Sequence, residues 1–122
     1  MAANDRSLEY LLELNGVRYV IDDRLGLWVK FDVKRVSKHL RQQGIRYSLS
    51  LHDRHNHRIL SFDNAHEIEY GGKTNVSPKK MFDHWHVNLE DIGRPYRYKN
   101  AGKLLEDFWK AVNKKINKIQ HE

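Results

Sequence analysis

Two short boxes hold the residues of this chain best suited to chemistry: Asp63-Asn64-Ala65-His66 and, further along, Asp83-His84-Trp85-His86. Histidine titrates near neutral pH, so two of them can act as general base and general acid in one step. On an extended strand His84 and His86 project to the same side, roughly 6 to 7 Å apart. That separation suits acid–base groups around a phosphate, or two ligands of one metal ion. His66 is a third candidate, and Asp63 and Asp83 would orient the imidazoles or join a ligand set. The same pattern also fits a plainer role, in which a polar strand face turns its histidines to water and Asp63 and Asn64 close a strand and cap a turn. His52, His55 and His57 lie around a hairpin and read as turn residues.

Other chemistries are excluded by what the chain lacks. It has no cysteine, which removes disulfides, thiolate metal sites and cysteine nucleophiles. Phosphate-binding glycine loops, Ser-His-Asp orders and HExxH are also missing. The leading expectation is therefore histidine chemistry without a cofactor. Its alternative is a divalent metal such as zinc, manganese or nickel on Asp63, His66, Asp83, His84 and His86, since imidazole-rich ligation suits these better than calcium.

The 22 Lys and Arg against 16 Asp and Glu leave a formal charge of +6, which attracts polyanions and makes nucleic acid the candidate partner, while an acidic protein would fit the same balance. Arg94, Tyr96 and Arg97 interleave cations with aromatic faces, a mixture that grips phosphates and stacks unpaired bases. A tyrosine of this run turned inward would instead complete the core. Lys73, Lys79 and Lys80 would track a phosphate backbone, or simply keep their segment soluble.

The elements that must position these groups follow from periodicity. Alternation of apolar and polar residues predicts strands over 17–23, 27–36, 45–53 and 57–62, and another around 82–90. Residues 37–44 read as a turn or one short helical turn, and 54–56 as a tight connection. The glycines, proline and lysines of 67–80 predict a long exposed loop. Leu104, Leu105, Phe108, Val112, Ile116 and Ile119 recur at helical spacing after Asn100, a candidate N-cap. The predicted fold is α+β in two layers: an antiparallel sheet of four to five strands with a long C-terminal amphipathic helix packed on it. One domain over residues 1–122 accounts for the length. No apolar run is long enough to span a membrane and the N-terminus does not read as a signal peptide, so the expected compartment is the cytoplasm of a bacterium.

At this point the order of segments carries a resemblance. GLWVKFDVKRV, GIRYSLSLHDR with RILSFDNAH, then DHWH, RPYRY and AGKLLEDFWKAV, resemble the TumE family, the toxin half of bacterial toxin–antitoxin pairs, over roughly residues 16–113. The resemblance implies a small toxin made beside a helix-turn-helix antitoxin that neutralises it. It carries the family's motif onto Asp63, Asn64, Ala65 and His66, then Asp83, His84 and His86.

Three functions remain in view. The first is a metal-independent endoribonuclease in which His84 and His86 do the acid–base work, with His66 as a third candidate and Arg94 or Arg97 holding the phosphate. The second is a metal-dependent phosphodiesterase on the Asp/His cluster. The third is a toxin that binds and blocks a ribosomal or nucleic-acid target without consuming it. Self-association into a homo-oligomer is compatible with each.

Overall fold

The computed structural model describes residues 6–70, 79–88, 90–91 and 93–121. The chain runs α1 (Arg6–Glu13), β1 (Arg18–Asp22), β2 (Leu27–Arg35), β3 (Ile45–His52), β4 (Arg58–Asp63), β5 (Ile68–Tyr70), β6 (Lys79–Met81), β7 (His84–His86), β8 (Arg94–Pro95) and α2 (Ala101–Gln120). The main sheet has the order β1-β2-β3-β4-β7-β8, antiparallel throughout. The fold class is the expected one. The sheet has six strands rather than four or five, because the two-residue β8 adds itself to His84 and Trp85 at the far edge.

Apolar residues alternate along the strands and settle on one face. Leu27, Val29, Phe31 and Val33 of β2, Ile45, Tyr47, Leu49 and Leu51 of β3, and Leu60 and Phe62 of β4 are all buried. They meet Ala101, Leu104, Phe108 and Val112 of α2, the apolar stripe expected from its spacing. Asn100 caps this helix by accepting from the Lys103 N–H at 2.8 Å, a contact worth about 1 kcal/mol. On its outer face Lys103 pairs with Asp107 at 3.2 Å and Lys110 with Glu106 at 2.9 Å. No helix among the described residues is long and apolar enough to cross a membrane.

Two features add to the elements expected from the sequence. The first is α1, where Leu8, Leu11 and Leu12 follow helical spacing and Leu11 is fully buried in the core. The second lies in the segment expected to be a loop over 67–80. There β5 and β6 pair as a separate two-stranded ribbon, with Ile68 opposite Met81 and Tyr70 opposite Lys79. Residues 71–78, including Lys73, lie outside the described residues.

Leu49 sits well inside this arrangement, on the inner strand β3 and fully enclosed. Leu49→Ala is expected to cost about 2–5 kcal/mol, by lost transfer energy and the cavity left behind. Urea denaturation of the two proteins measures this, and an unchanged midpoint would contradict the placement of the core.

Candidate functional site

Tyr47 on β3 decides where both boxes sit. Its backbone N–H donates to Asn64 Oδ1 at 2.8 Å and its carbonyl accepts the Asn64 N–H at 3.1 Å, while Asn64 Nδ2 donates to the Ile45 carbonyl at 2.9 Å. Asn64 is fully buried, and its side-chain amide continues the pairing of β4 with β3 just past the strand end. The Tyr47 hydroxyl holds the second box, donating to Asp83 Oδ2 at 2.7 Å, and Gln43 donates to Asp83 Oδ1 at 2.7 Å. Burial first, then the charge of Asp83, push the Tyr47 phenol far above its ordinary range, so it remains a donor.

Arg41 closes the first box from outside. It donates through Nε to the Asn64 carbonyl at 2.6 Å and through Nη2 to the Ala65 carbonyl at 2.8 Å, with its guanidinium 3.8 Å from the Phe82 ring centroid. One planar cation thus bonds the turn after β4 while stacking on the residue that leads into β7.

From these anchors the strand register turns the functional groups to the face opposite the core. Asp63 pairs with His84 and Ser61 with His86. The Asp63 Oδ1 lies 3.3 Å from His84 Nε2 and 3.9 Å from His66 Nδ1. The first of these is an ion-pair distance, and His84 Nε2 makes no hydrogen bond of good geometry there. The rings of His66 and His84 meet edge to face at 4.7 Å, and those of His84 and His86 at 4.8 Å.

Both inner imidazoles have a fixed tautomer. His84 Nδ1 donates to the Phe82 carbonyl at 2.7 Å and His86 Nδ1 donates to the Asp91 carbonyl at 2.7 Å. A carbonyl can only accept, so each Nδ1 carries the proton and each neutral ring keeps its lone pair on Nε2. His84 is 0% exposed and His86 5%, whereas the His66 side chain is 63% exposed at the rim. Gly93 packs over the inner pair at a φ of +117°. A Cβ there would lie 3.3 Å from both His84 Cδ2 and His86 Cε1, and 3.4 Å from Ile68 Cγ2, so glycine suits both the backbone and the space.

The candidate residues therefore divide. Asp63, His66, His84 and His86 come together, and one nitrogen from each of the three histidines lies within 4.8 Å of the others. Asp83 does not join them, because its carboxylate is taken by Tyr47 and Gln43. Arg94 is ion-paired with Asp91 at 2.9 Å, with its guanidinium 5.7 Å from the Trp85 ring centroid. Tyr96 is buried against Phe62 with its hydroxyl on Asp107 at 2.7 Å, the inward alternative, and Arg97 is exposed. Lys79 and Lys80 lie in β6, and Lys73 lies outside the described residues.

The face that carries the histidines also carries a group that sequence reasoning did not single out. Trp28, Lys30, Asp32 and Lys34 of β2 stand opposite His52, Ser50, Ser48 and Arg46 of β3. Trp28 stacks on His52 at 4.2 Å, and Arg58 pairs with His52 from β4. A cleft of about 300 Å³ opens here, lined by Asp32, Lys34, Arg46, Ser48 and Ala65, next to the turn that holds His66. The polar half of each alternating strand was the available signal.

Electrostatics set the inner pair apart from His52. Burial opposes charge on His84, but Asp63 and the Phe82 carbonyl outweigh it and raise its pKa above the ordinary histidine value; Asp63 is correspondingly lowered despite its own burial. His52 is lowered, first by burial and then by Lys30, Arg58 and Arg18. Raised His84 contributes stability that is complete below the unfolded value and is lost as pH climbs through the folded one. Lowered Asp63 contributes above the unfolded carboxylate value and loses that contribution as pH falls through its folded one. Lowered His52 opposes stability in acid, so the histidine contributions together peak near the ordinary histidine value. In chelator-treated protein, NMR titration of the imidazole protons is expected to place His84 above that value and His52 below it, with Asp63→Asn bringing His84 down. A His84 that titrates below His52 would contradict the pairing.

The family model described as Toxin TumE matches residues 12–116, which include both boxes, every strand of the main sheet and most of α2. No curated protein and no solved structure matches the chain. A toxin of this kind implies an antitoxin partner. The chain belongs to the TumE family of toxins.

Proposed function

We propose that this toxin acts on RNA, breaking phosphodiester bonds at the centre formed by Asp63, His66, His84 and His86. The observation that carries the reading is the shared face: the strand register sets the histidines on the same side of the sheet as Lys30, Lys34, Arg46 and the Trp28–His52 stack. Cations beside an aromatic platform suit a flexible, single-stranded polyanion, in which phosphates meet charge and unpaired bases meet rings.

The reaction that fits is internal. The ribose 2′-hydroxyl gives up its proton to a base at the centre and attacks the adjacent phosphorus. The bond to the 5′ oxygen breaks, that oxygen takes a proton, and a 2′,3′-cyclic phosphate and a 5′-hydroxyl remain. Of the expected acid–base pair, His84 and His86 are enclosed, so among the three imidazoles His66 is the one exposed at the rim where substrate would arrive. Lys34 and Arg46 line the neighbouring cleft and replace Arg94, which is engaged with Asp91, as the phosphate-holding cations. Neutralisation of the toxin by its partner would follow from covering this face with a helix-turn-helix antitoxin.

Purified toxin incubated with total bacterial RNA and with a synthetic oligoribonucleotide tests the reading. Wild type is expected to yield fragments ending in cyclic phosphate, and the Lys34→Ala, Arg46→Ala double variant to bind RNA more weakly. Its salt dependence should fall by roughly 1.4 in log–log slope, about 0.7 for each lost contact to a single strand. RNA left intact by wild type with and without added divalent ions, or a double variant that binds as wild type does, would contradict it.

A further inference from the structure

We propose that His66, His84 and His86 form a binding site for one divalent transition-metal ion, with Asp63 as the flanking carboxylate. The proposal deepens the reading above by naming the base, yet metal uptake can be measured without any RNA. Three observations lead to it, each from a different aspect of the site.

The first is orientation. Histidines that bind metal through Nε2 commonly donate Nδ1–H to a carbonyl or carboxylate, which fixes the ring and raises its basicity. Both inner histidines do so, His84 to the Phe82 carbonyl and His86 to the Asp91 carbonyl. The second is that, among the described residues, both buried Nε2 atoms lack a hydrogen bond of good geometry, His84 Nε2 having only the Asp63 carboxylate 3.3 Å away. A buried acceptor without a well-placed donor is unfavourable, and here two occur side by side. A metal ion satisfies both lone pairs at once, whereas a proton on each ring would set two positive charges in contact.

The third is convergence. A tetrahedral ion with bonds of about 2.0–2.1 Å holds its nitrogens roughly 3.4 Å apart. The three nitrogens already lie within 4.8 Å of one another, and the exposed His66 side chain can rotate toward the inner pair. Three imidazoles and no thiolate favour zinc, cobalt, nickel or manganese over calcium or magnesium. Asp83, part of the five-residue set the sequence suggested, is excluded by its bonds to Tyr47 and Gln43.

Three protein ligands leave a position for water, whose pKa a metal lowers to about 7. The bound hydroxide takes the proton of the ribose 2′-hydroxyl, the alkoxide attacks phosphorus, and the departing 5′ oxygen recovers a proton from the bound water. Bonds and charge balance with no further reactant. Enclosure of His84 and His86 then agrees with function, since they act through the ion and need not touch RNA.

The test is titration of the chelator-treated full chain with Zn²⁺ by calorimetry and with Co²⁺ by visible absorption. Wild type is expected to take up one ion per chain, with the intense visible bands of tetrahedral cobalt. His66→Ala, a change at an exposed side chain that should leave the fold intact, is expected to weaken uptake more than tenfold, and Asp63→Asn to weaken it by removing the negative charge beside His84 Nε2. Circular dichroism of each variant confirms that it is folded. No uptake by wild type overturns the proposal, as does undiminished uptake by folded His66→Ala, which would place the ion elsewhere, for instance at His55 and His57. RNA cleavage by a demonstrably metal-free protein would overturn the metal and leave the ribonuclease reading standing. Metal uptake without cleavage of RNA would do the reverse.

Discussion

The site depends on a single tyrosine. Tyr47 lies on β3, an inner strand whose position is fixed by pairing on both sides. It bonds Asn64 through its backbone and Asp83 through its hydroxyl. Each box thus spends one polar residue on attachment and offers the remainder for chemistry. The arrangement matters because β7 is only three residues long and is flanked on its outer side by a strand of two. Strands that short do not hold a position alone. Asp83, secured one residue before β7, supplies the stability that its own ladder lacks.

A consequence is that the inner imidazoles are rigid before anything binds. Their Nδ1 protons are committed to backbone carbonyls, Gly93 packs over them, and Asp63 stands to one side. Rigid, buried nitrogens without a well-formed hydrogen bond are a local cost, which the large core beneath, with Phe31, Tyr47, Leu49 and Phe108 fully enclosed, is able to offset. Polar groups held against their solvation preference are ready to act on a ligand without reorganising. The exposed His66 and the basic second face of β2 and β3 are where that ligand would arrive.

Much of this was legible in the sequence, and the physical reasons differ by element. Strands β2 and β3 announced themselves because one face is buried and the other wet, which imposes strict alternation, and α2 because a long helix repeats its apolar stripe several times. The short α1 gives too few repeats of Leu8, Leu11 and Leu12 to stand out, and β5, β6 and β8 have only two or three residues each. The boxes were visible as clusters of reactive residue types. The division of labour inside them was not, because Asp63 and Asp83 look alike in a string of letters. Only the fold reveals that one faces imidazoles while the other faces a phenol. Arg41 was unreadable for the same reason, since its partners are backbone carbonyls more than twenty residues away.

The account stands on the claim that the convergent histidines, and not some other surface, make this chain toxic. Growth of cells expressing His66→Ala without antitoxin, compared with wild type at matched levels of folded protein, tests that most directly, because the side chain is largely exposed and its loss leaves the core untouched. The account predicts that wild type arrests growth and the variant does not. Equal arrest by both would mean that the centre is structural and that toxicity resides elsewhere on the molecule.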